Sequence, residues 1–414
     1  MKLLFVHQNF PGQYCHLAAH YGAQPGHEVV ALGEAKNLNR PQARIPGVKV
    51  CGYTLPALPG GKADSFDRSV HNAIHRGKHV AAAASRLRQA GLRPDVVFAH
   101  IGWGEALFLK DVFPEARVVL YCEFFYRSHG ADFGFDPEFP PTAEKLLRLR
   151  VMNAPLLMSL GASDAGVAPT RWQQRQFPPP YRPGLAVLHD GIDTDRACPE
   201  NNVDRKEEVV TYISRNLEPY RGFHSFMRAI PEIQRRRPKA RIVIVGGDEV
   251  SYSPRLPPGQ TYKARMLKAL EGKIDLSRID FHGRMPYDDY LRLLRASSVH
   301  VYLTYPFVAS WSLLEAMSSG ALLVASRTPP VQEFVVDGEN GLLADFFSPE
   351  GIAERVDYAL SNDLGELRKN ARRTVVGRYD LKSVCLPAQV RFIEKLAGVE
   401  RVAHDDRLVA VGAG

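Results

Sequence analysis

The stretch EVVTYISRNLEPYRGFHSFMRAIPEIQRRRPKARIVIVGG, residues 208–247, predicts a strand, a helix and a second strand in succession. Residues 208–214 and 241–247 are apolar, β-branched runs of the kind that form strands buried on both faces. Apolar residues recur between them at helical spacing, namely Phe223, Phe226, Ile230 and Ile233. We expect this helix to end before Pro238. The order of the elements predicts a parallel α/β sheet.

Similar strand-like runs occur along the rest of the chain, separated by helical patterns. They lie at residues 3–6, 28–32, 95–99, 117–121 and 166–169, and again at 279–283, 299–304 and 321–326. The series therefore starts twice, and 414 residues exceed the size at which a single core stops growing. The sequence predicts an α/β protein with two doubly wound, Rossmann-like domains that face a central cleft.

We place the first domain at residues 1–195 and the second at 196–383, with the boundary near 195–207, where the polar stretch PENNVDRKEE lies. A final helix is expected within residues 384–400, crossing back to the first domain. The tail, residues 401–414, is expected to be loosely held.

The composition limits the classes of partner. The chain has 53 Lys and Arg against 45 Asp and Glu, a net charge of +8, which favours anionic partners. The basic residues are spread out and not interleaved with aromatic residues, so nucleic acid is not expected. The five cysteines are scattered and lack CxxC spacing, which argues against disulfides and structural zinc. With too short an apolar run at the start for a signal peptide, we expect a cytoplasmic protein.

Two arginines follow the first strand of the second domain. Arg215 stands at the strand end, and Arg221 lies six residues on, where a helix opens. Two guanidinium groups and a helix N-terminus suit a diphosphate, although both side chains could equally be solvated surface arginines. Gly247 ends the next strand in a turn that lets the backbone approach a ligand. We also place Arg284 among the donor-binding candidates.

Glu315 is the single carboxylate in TYPFVASWSLLEAMSSG, residues 304–320. An acid among core residues needs a partner or loses its charge, and we expect that this partner is not protein. A helix is expected to begin near Ser310, Trp311 and Ser312, whose amides would face the cleft.

Glu315 would then fall in the first helical turn, where the helix dipole favours the ionised carboxylate. There it could accept hydrogen bonds from the vicinal hydroxyls of a ribose. It could also serve only to complement the dipole.

The first domain offers three further candidates. Gly12 lies in a turn after the first strand and could bring backbone against a phosphate, although the turn is too short for a dinucleotide fingerprint. His100 and Glu123 each follow a strand, where a catalytic side chain would be exposed; capping and loop anchoring explain such residues about as well. The Gly- and Pro-rich residues 127–141 are expected to form a functional loop.

Two surface patterns are weaker. His71, His75 and His79 share one helix face, but without nearby acids or cysteines we do not expect a metal site. Residues 142–152 form a basic helix that could rest on a membrane or an anionic acceptor. We favour a solvated basic face for it.

Taken together, these residues resemble the retaining glycosyltransferases of family 4, also called group 1, whose two-domain fold is called GT-B. The most specific part is LLEAMSSGALLVASRTPPVQEFVVDGENGLLADFFSPEGIAERV, residues 313–356. In that family the Glu of an EAM-x-x-G segment binds the ribose of a nucleotide-sugar donor, which by resemblance is the role of Glu315. A basic pair binds the diphosphate and corresponds to Arg215 and Arg221, with Lys usual at the second position.

Two departures from the family pattern concern the sugar and the reacting centre. The family motif is Glu, seven residues, Glu, and the position eight before Glu315 is Phe307. The donor-sugar contact of the first Glu is therefore missing or supplied elsewhere. A His commonly stands where this chain has Glu123.

The resemblance implies a retaining glycosyltransferase that moves a sugar from a nucleoside-diphosphate sugar to a saccharide, lipid-linked or small-molecule acceptor. Neither a cofactor nor a metal is expected, because Arg215, Arg221 and helix amides would carry the diphosphate charge. We retain two alternatives on the same fold, a non-catalytic nucleotide-sugar-binding protein and a sugar-nucleotide epimerase. A nicotinamide-dependent dehydrogenase is the least supported, since the glycine fingerprint is lacking.

Overall fold

The computed structural model describes residues 1–58, 66–200 and 207–398, and it contains two parallel sheets, as predicted. The strands of the first sheet are β1 (Lys2–Val6), β2 (Glu28–Glu34), β3 (Val48–Tyr53), β4 (Val96–His100), β5 (Arg117–Tyr121), β6 (Ala165–Ala168) and β7 (Leu185–Val187). They lie in the order β3-β2-β1-β4-β5-β6-β7. This is a doubly wound arrangement whose strand order reverses between β1 and β4.

The second sheet repeats this plan. Its strands are β8 (Val209–Asn216), β9 (Arg241–Gly247), β10 (Ile279–His282), β11 (Val299–Tyr302), β12 (Leu323–Ser326) and β13 (Leu342–Ala344). They lie in the order β10-β9-β8-β11-β12-β13, so the order reverses between β8 and β11. In open α/β sheets ligands bind beyond the carboxyl ends of the strands at such a reversal. The two reversals therefore place the site at the ends of β1, β4, β8 and β11.

Helices cover the sheets. In the first domain they are α1 (Cys15–Gly22), α2 (Arg68–Gln89), α3 (Leu109–Val112), α4 (Ala143–Met152), α5 (Ala154–Ala162) and α6 (Arg171–Gln176). The remaining helices are α7 (Phe223–Arg236), α8 (Tyr262–Ala269), α9 (Tyr287–Ala296), α10 (Trp311–Ser318), α11 (Pro329–Gln332), α12 (Pro349–Ser361), α13 (Gly365–Tyr379) and α14 (Leu386–Leu396). The apolar residues predicted for the helix after β8 are buried in α7.

Three strands do not appear among the sequence predictions, and all lie towards the edges of the sheets. β3 forms one edge of the first sheet and is only partly buried, so its residues alternate with Lys49 and Gly52 instead of forming an apolar run. β7 and β13, at the edges of their sheets, have three residues each. Short or half-exposed strands lack the continuous hydrophobicity that marks the central strands.

The last described helix packs on the first domain. Val390 and Ile393 of α14 are buried with Leu3, Leu17 and Val29. The chain thus returns to the domain in which it began. The expected tail, residues 401–414, and residues 201–206 of the expected boundary lie outside the described residues.

Residues 127–141, which we call the strap, reach from the first domain onto the second without forming a helix or strand. The ring of Phe135 lies 5.1 Å from that of Tyr305 and 5.3 Å from that of Phe346. Asp136 accepts hydrogen bonds from His224 at 2.9 Å and from Tyr305 at 2.5 Å. The strap therefore joins the two domains through both apolar and charged contacts.

Candidate functional site

Two adjoining cavities lie in the cleft between the domains. The larger, about 440 Å³, is formed by the second domain, and the smaller, about 170 Å³, lies between the domains. Both are lined by Arg215, Arg221, Tyr252 and Ser310, so they form one continuous cleft. The predicted residues in the larger cavity are Arg215, Arg221, Arg284, Ser310, Ser312 and Glu315, and those in the smaller are Glu123, Arg215, Arg221, Ser310 and Trp311.

Arg215 is exposed in this cleft because of an irregularity in β8. The pairing of β8 with β9 shifts register between Ile213 and Asn216, which turns the intervening residues out of the regular ladder. Within the described chain its guanidinium makes no hydrogen bond or ion pair, although its charge helps to keep Glu123 ionised. Arg215 is thus a cation available to a ligand in both cavities.

Arg221 is held more firmly. Its Nη1 donates to Thr304 Oγ1 and to the Val308 carbonyl, both at 3.0 Å. The next residue, Gly222, has a φ of 72°, and a Cβ there would overlap Leu303, so only glycine fits. This tight turn directs Arg221 into the cleft immediately before α7.

Glu315 faces the larger cavity and accepts hydrogen bonds from Tyr287 at 2.7 Å and Tyr290 at 2.8 Å. The expectation that its partner is not protein was therefore wrong, because a phenol hydroxyl donates a hydrogen bond to each of its carboxylate oxygens. The expected position in the first helical turn was also wrong, since α10 begins at Trp311 and Glu315 is in its second turn. Burial raises the pKa of Glu315, against the two phenols and Arg196, which lower it.

The start of α10 lies where it was predicted, but its polar groups are partly used by the protein. The Ser310 amide donates to the Tyr302 hydroxyl at 2.8 Å, and Ser310 Oγ accepts from the Ser312 amide at 3.3 Å. Trp311 donates its indole N–H to Asp190 at 2.9 Å. Trp311 therefore ties α10 to Asp190, which follows β7, and its predicted contact with the donor stays a prediction.

Asp190 is a buried acid in the smaller cavity that the sequence did not single out. Besides Trp311, it accepts from the Tyr121 hydroxyl at 2.9 Å. Burial raises the pKa of Asp190 to about 7, although the hydrogen bonds from Trp311 and Tyr121 lower it. Asp190 begins the stretch DGID, residues 190–193, but its neighbours in space are distant in sequence, so its setting could not be read from that stretch.

Glu123 enters the smaller cavity from the first domain, as predicted. One oxygen accepts from Gln13 at 3.2 Å, and the other lies 3.4 Å from His100 Nε2. Burial opposes ionisation, but His100, Gln13 and Arg215 together hold the pKa of Glu123 below its ordinary value. A carboxylate that stays ionised thus faces Arg215 across the cleft.

His100 lies behind Glu123 instead of in the cavity. Its Nδ1 accepts from the Gly102 amide at 2.9 Å, so Nε2 carries the proton and points to Glu123. The ring stacks on Trp103 with centroids 4.1 Å apart. These contacts fix the His100 ring behind Glu123.

Gly12 lies beside His7 in the turn after β1. Its φ is 51°, and a Cβ would approach His7 Nε2 to 2.7 Å, so glycine is required for the histidine to pack there. Burial lowers the pKa of His7 to about 3, which keeps it neutral. In the described chain Gly12 does not line either cavity.

Three other candidates lie at the margin of the cleft. Gly247 ends β9, and its carbonyl accepts a hydrogen bond from the Leu217 amide at 2.8 Å. Arg284 lines the larger cavity, but pairs with Glu249. The ring of Phe307 packs between the domains against that of Phe124, with centroids 4.7 Å apart. Phe307 is not among the described residues that line the two cavities.

Supporting residues that the sequence reading missed come from positions that looked structural. Glu218 is buried and accepts the amides of residues 251–253 at 2.9 to 3.1 Å, which fixes the loop that presents Tyr252. Tyr287 and Tyr290 stand three residues apart on α9, so both phenols reach Glu315. That spacing was the only available signal.

Among the described residues, one group has side-chain atoms close enough together to bind a metal ion. It consists of Asp136, Glu138 and His224 and lies outside the two cavities. His224 contacts Asp136 and Glu138 pairs with Arg228, so these groups tie the strap to α7. His75, one of the three histidines on α2, contacts the Pro56 carbonyl at 2.8 Å. Among the helices described, none is both long and apolar enough to cross a bilayer.

Two family models match consecutive parts of the chain. The Glycosyl transferase family 4 group matches residues 25–197, and Glycosyl transferases group 1 matches residues 193–375. The chain is 26% identical to the GDP-mannose-dependent alpha-(1-6)-phosphatidylinositol monomannoside mannosyltransferase of Mycolicibacterium smegmatis, over 72% of this chain and 74% of that protein. Other relatives match over less than two thirds of their own length, 42% in one case and 62% in another.

Solved structures share the fold at low sequence identity. Sucrose-phosphate synthase from Thermosynechococcus elongatus aligns with a TM-score of 0.71 at 15% identity, covering 96% of this chain and all of that one. HepE from Anabaena, in complex with UDP-glucose, aligns with a TM-score of 0.64 at 17% identity, covering 96% of this chain and 98% of that one. The two-domain arrangement is therefore that of the GT-B glycosyltransferases.

Proposed function

Because this chain belongs to the group 1 glycosyltransferases, we propose that it moves a sugar from a nucleoside-diphosphate sugar to an acceptor hydroxyl with retention of the anomeric configuration. One observation carries the proposal: Arg215, Arg221 and Glu315 line the same cavity of about 440 Å³. Two cations for a diphosphate and a carboxylate for a ribose are the groups that such a donor requires. HepE, with UDP-glucose bound, supports a donor of this class.

The chemical difficulty is the charge that builds on the diphosphate as the glycosidic bond opens. Arg215 and Arg221 would stabilise that charge from fixed positions, and losing one such donor typically costs about a hundredfold in rate. These arginines supply the positive charge that a metal ion supplies in other transferases, so we propose a reaction without a metal.

Glu123 would act on the acceptor side. Its carboxylate faces the cleft from the first domain and is held by Gln13 and His100. Retention follows if the acceptor attacks the face that the diphosphate leaves, with a diphosphate oxygen taking the acceptor proton. Glu123 would then orient the acceptor hydroxyl or the transferred sugar.

A donor screen followed by product analysis tests the proposal. Thermal shifts with UDP, GDP, ADP and TDP sugars identify the donor, since a ligand of the folded state raises Tm. Transfer to saccharide, lipid-linked and small-molecule acceptors is then followed by NMR in buffer with EDTA. We expect an α-linked product from an α-linked donor; inverted product overturns retention, donor interconversion indicates an epimerase, and binding without transfer or hydrolysis indicates a binding protein.

A further inference from the structure

A third cavity of about 200 Å³ lies between the strap and the second domain, and we call it the strap cavity. Phe133 and Phe139 of the strap form one side, and Tyr220 and Tyr305 of the second domain form the other. Tyr252 lines this cavity and both cavities of the cleft. The strap cavity therefore lies directly beside the proposed reaction site, and none of the residues proposed to bind the donor diphosphate or ribose lines it.

The walls of the strap cavity offer aromatic faces. Tyr220 and Tyr305 stack on each other with centroids 4.6 Å apart and form a rigid aromatic wall. Phe133 is half-buried and has no ring partner within the described residues. Aromatic faces of this kind pack against the C–H faces of a sugar ring.

Two buried acids line the strap cavity. Asp132 is 5% exposed; its Oδ2 accepts from the Tyr220 hydroxyl at 2.9 Å, and its Oδ1 has no partner in the described chain. Asp136 is 3% exposed and accepts from His224 and Tyr305. A buried carboxylate oxygen without a donor is costly, and a ligand hydroxyl would satisfy it.

The charge of the lining selects against anions. Asp132 and Asp136 face the cavity, and Lys145 at its edge is the lining's single lysine or arginine. Two buried carboxylates would repel a phosphate or carboxylate group that entered between them. A neutral group with several hydroxyls fits both the rings and the acids.

We propose that the strap cavity is a saccharide subsite, which takes one neutral, hydroxyl-rich ring of the acceptor. The ring lies against Phe133, and one of its hydroxyls donates to Asp132. This assignment rests on the proposed transferase function, because it places the acceptor beside the donor at Tyr252. The strap holds the subsite together through its contacts with α7.

Saturation-transfer NMR with the full chain tests the subsite directly. The probes are methyl α-D-glucopyranoside, methyl α-D-mannopyranoside, methyl α-D-galactopyranoside and myo-inositol, each measured alone and with saturating UDP or GDP. We expect at least one probe to bind with the nucleotide present. Phe133→Ala and Asp132→Asn should each weaken that binding about tenfold.

Glu144→Gln is the matched control, since it removes an exposed carboxylate beside Lys145 on α4 without touching the cavity lining or the contacts of the strap with α7. It should leave probe affinity within about twofold. The proposal is overturned if no probe binds the wild-type protein, if the nucleotide displaces the probe, or if Phe133→Ala and Asp132→Asn bind as well as wild type. Nucleotide affinity is measured separately, so failure to bind UDP or GDP counts against the proposed function alone.

Discussion

Glu315→Ala tests whether this carboxylate binds a ribose, through the difference between a nucleoside diphosphate and its 2′-deoxy form. Each carboxylate oxygen of Glu315 accepts a hydrogen bond from one phenol hydroxyl, at 2.7 Å and 2.8 Å. Each oxygen therefore retains a lone pair that can accept from a ligand hydroxyl. A hydrogen bond to a charged group contributes about 1.5–3 kcal/mol, so the 2′-hydroxyl should improve affinity by about tenfold to a hundredfold. In Glu315→Ala this ratio should fall to about one.

Isothermal titration with the pairs UDP and 2′-deoxy-UDP, and GDP and 2′-deoxy-GDP, measures the ratio. The substitution leaves the buried Tyr290 hydroxyl unpaired and should cost about 1–3 kcal/mol of stability. The ratio is insensitive to that loss, because both ligands meet the same protein. Glu354→Gln, at an exposed position on α12, is the control and should keep the wild-type ratio. Equal binding of the two ligands to wild type, or an unchanged ratio in Glu315→Ala, would refute the ribose contact.

Two further predictions concern the acids of the smaller cavity. Between about pH 4 and pH 7 folded Asp190, with a pKa of about 7, keeps a proton that the unfolded chain has lost, so wild-type stability falls with rising pH through this range. Asp190→Asn removes this dependence and should gain about 3 kcal/mol relative to wild type across that range, measured by urea unfolding; parallel pH profiles would contradict it. Glu123→Gln should lower turnover about a hundredfold, while donor affinity stays within about threefold of wild type. Because the pKa of Glu123 is lowered, wild-type turnover should show no titration of this group above pH 5. Unchanged turnover in steady-state assays would remove Glu123 from the reaction.

The central strands and the cleft were predictable from sequence because burial on both faces leaves a continuous apolar run. The edge strands β3, β7 and β13 were not, since half-exposed or three-residue strands carry no such run. The position of Arg215 at a strand end was readable, but the register shift that turns it outward depends on pairing with β9.

Contacts between distant parts of the chain could not be predicted. The two phenols that donate to Glu315 come from another helix. Asp190 accepts a hydrogen bond from Trp311, which lies 121 positions away in the sequence. Phe307 was readable as a departure from the family motif. Its packing against Phe124 of the other domain was not, because neither residue carries a sequence signal for the other.

The central claim is that Arg215 and Arg221 bind the diphosphate of the donor. Titration of wild type and Arg215→Ala with UDP and UMP, and with GDP and GMP, at one fixed ionic strength isolates the second phosphate. We predict that the diphosphate binds wild type at least tenfold more tightly than the monophosphate, and that this advantage falls to threefold or less in Arg215→Ala. Equal affinity of wild type for the two nucleotides, or an undiminished advantage in the variant, would contradict the account.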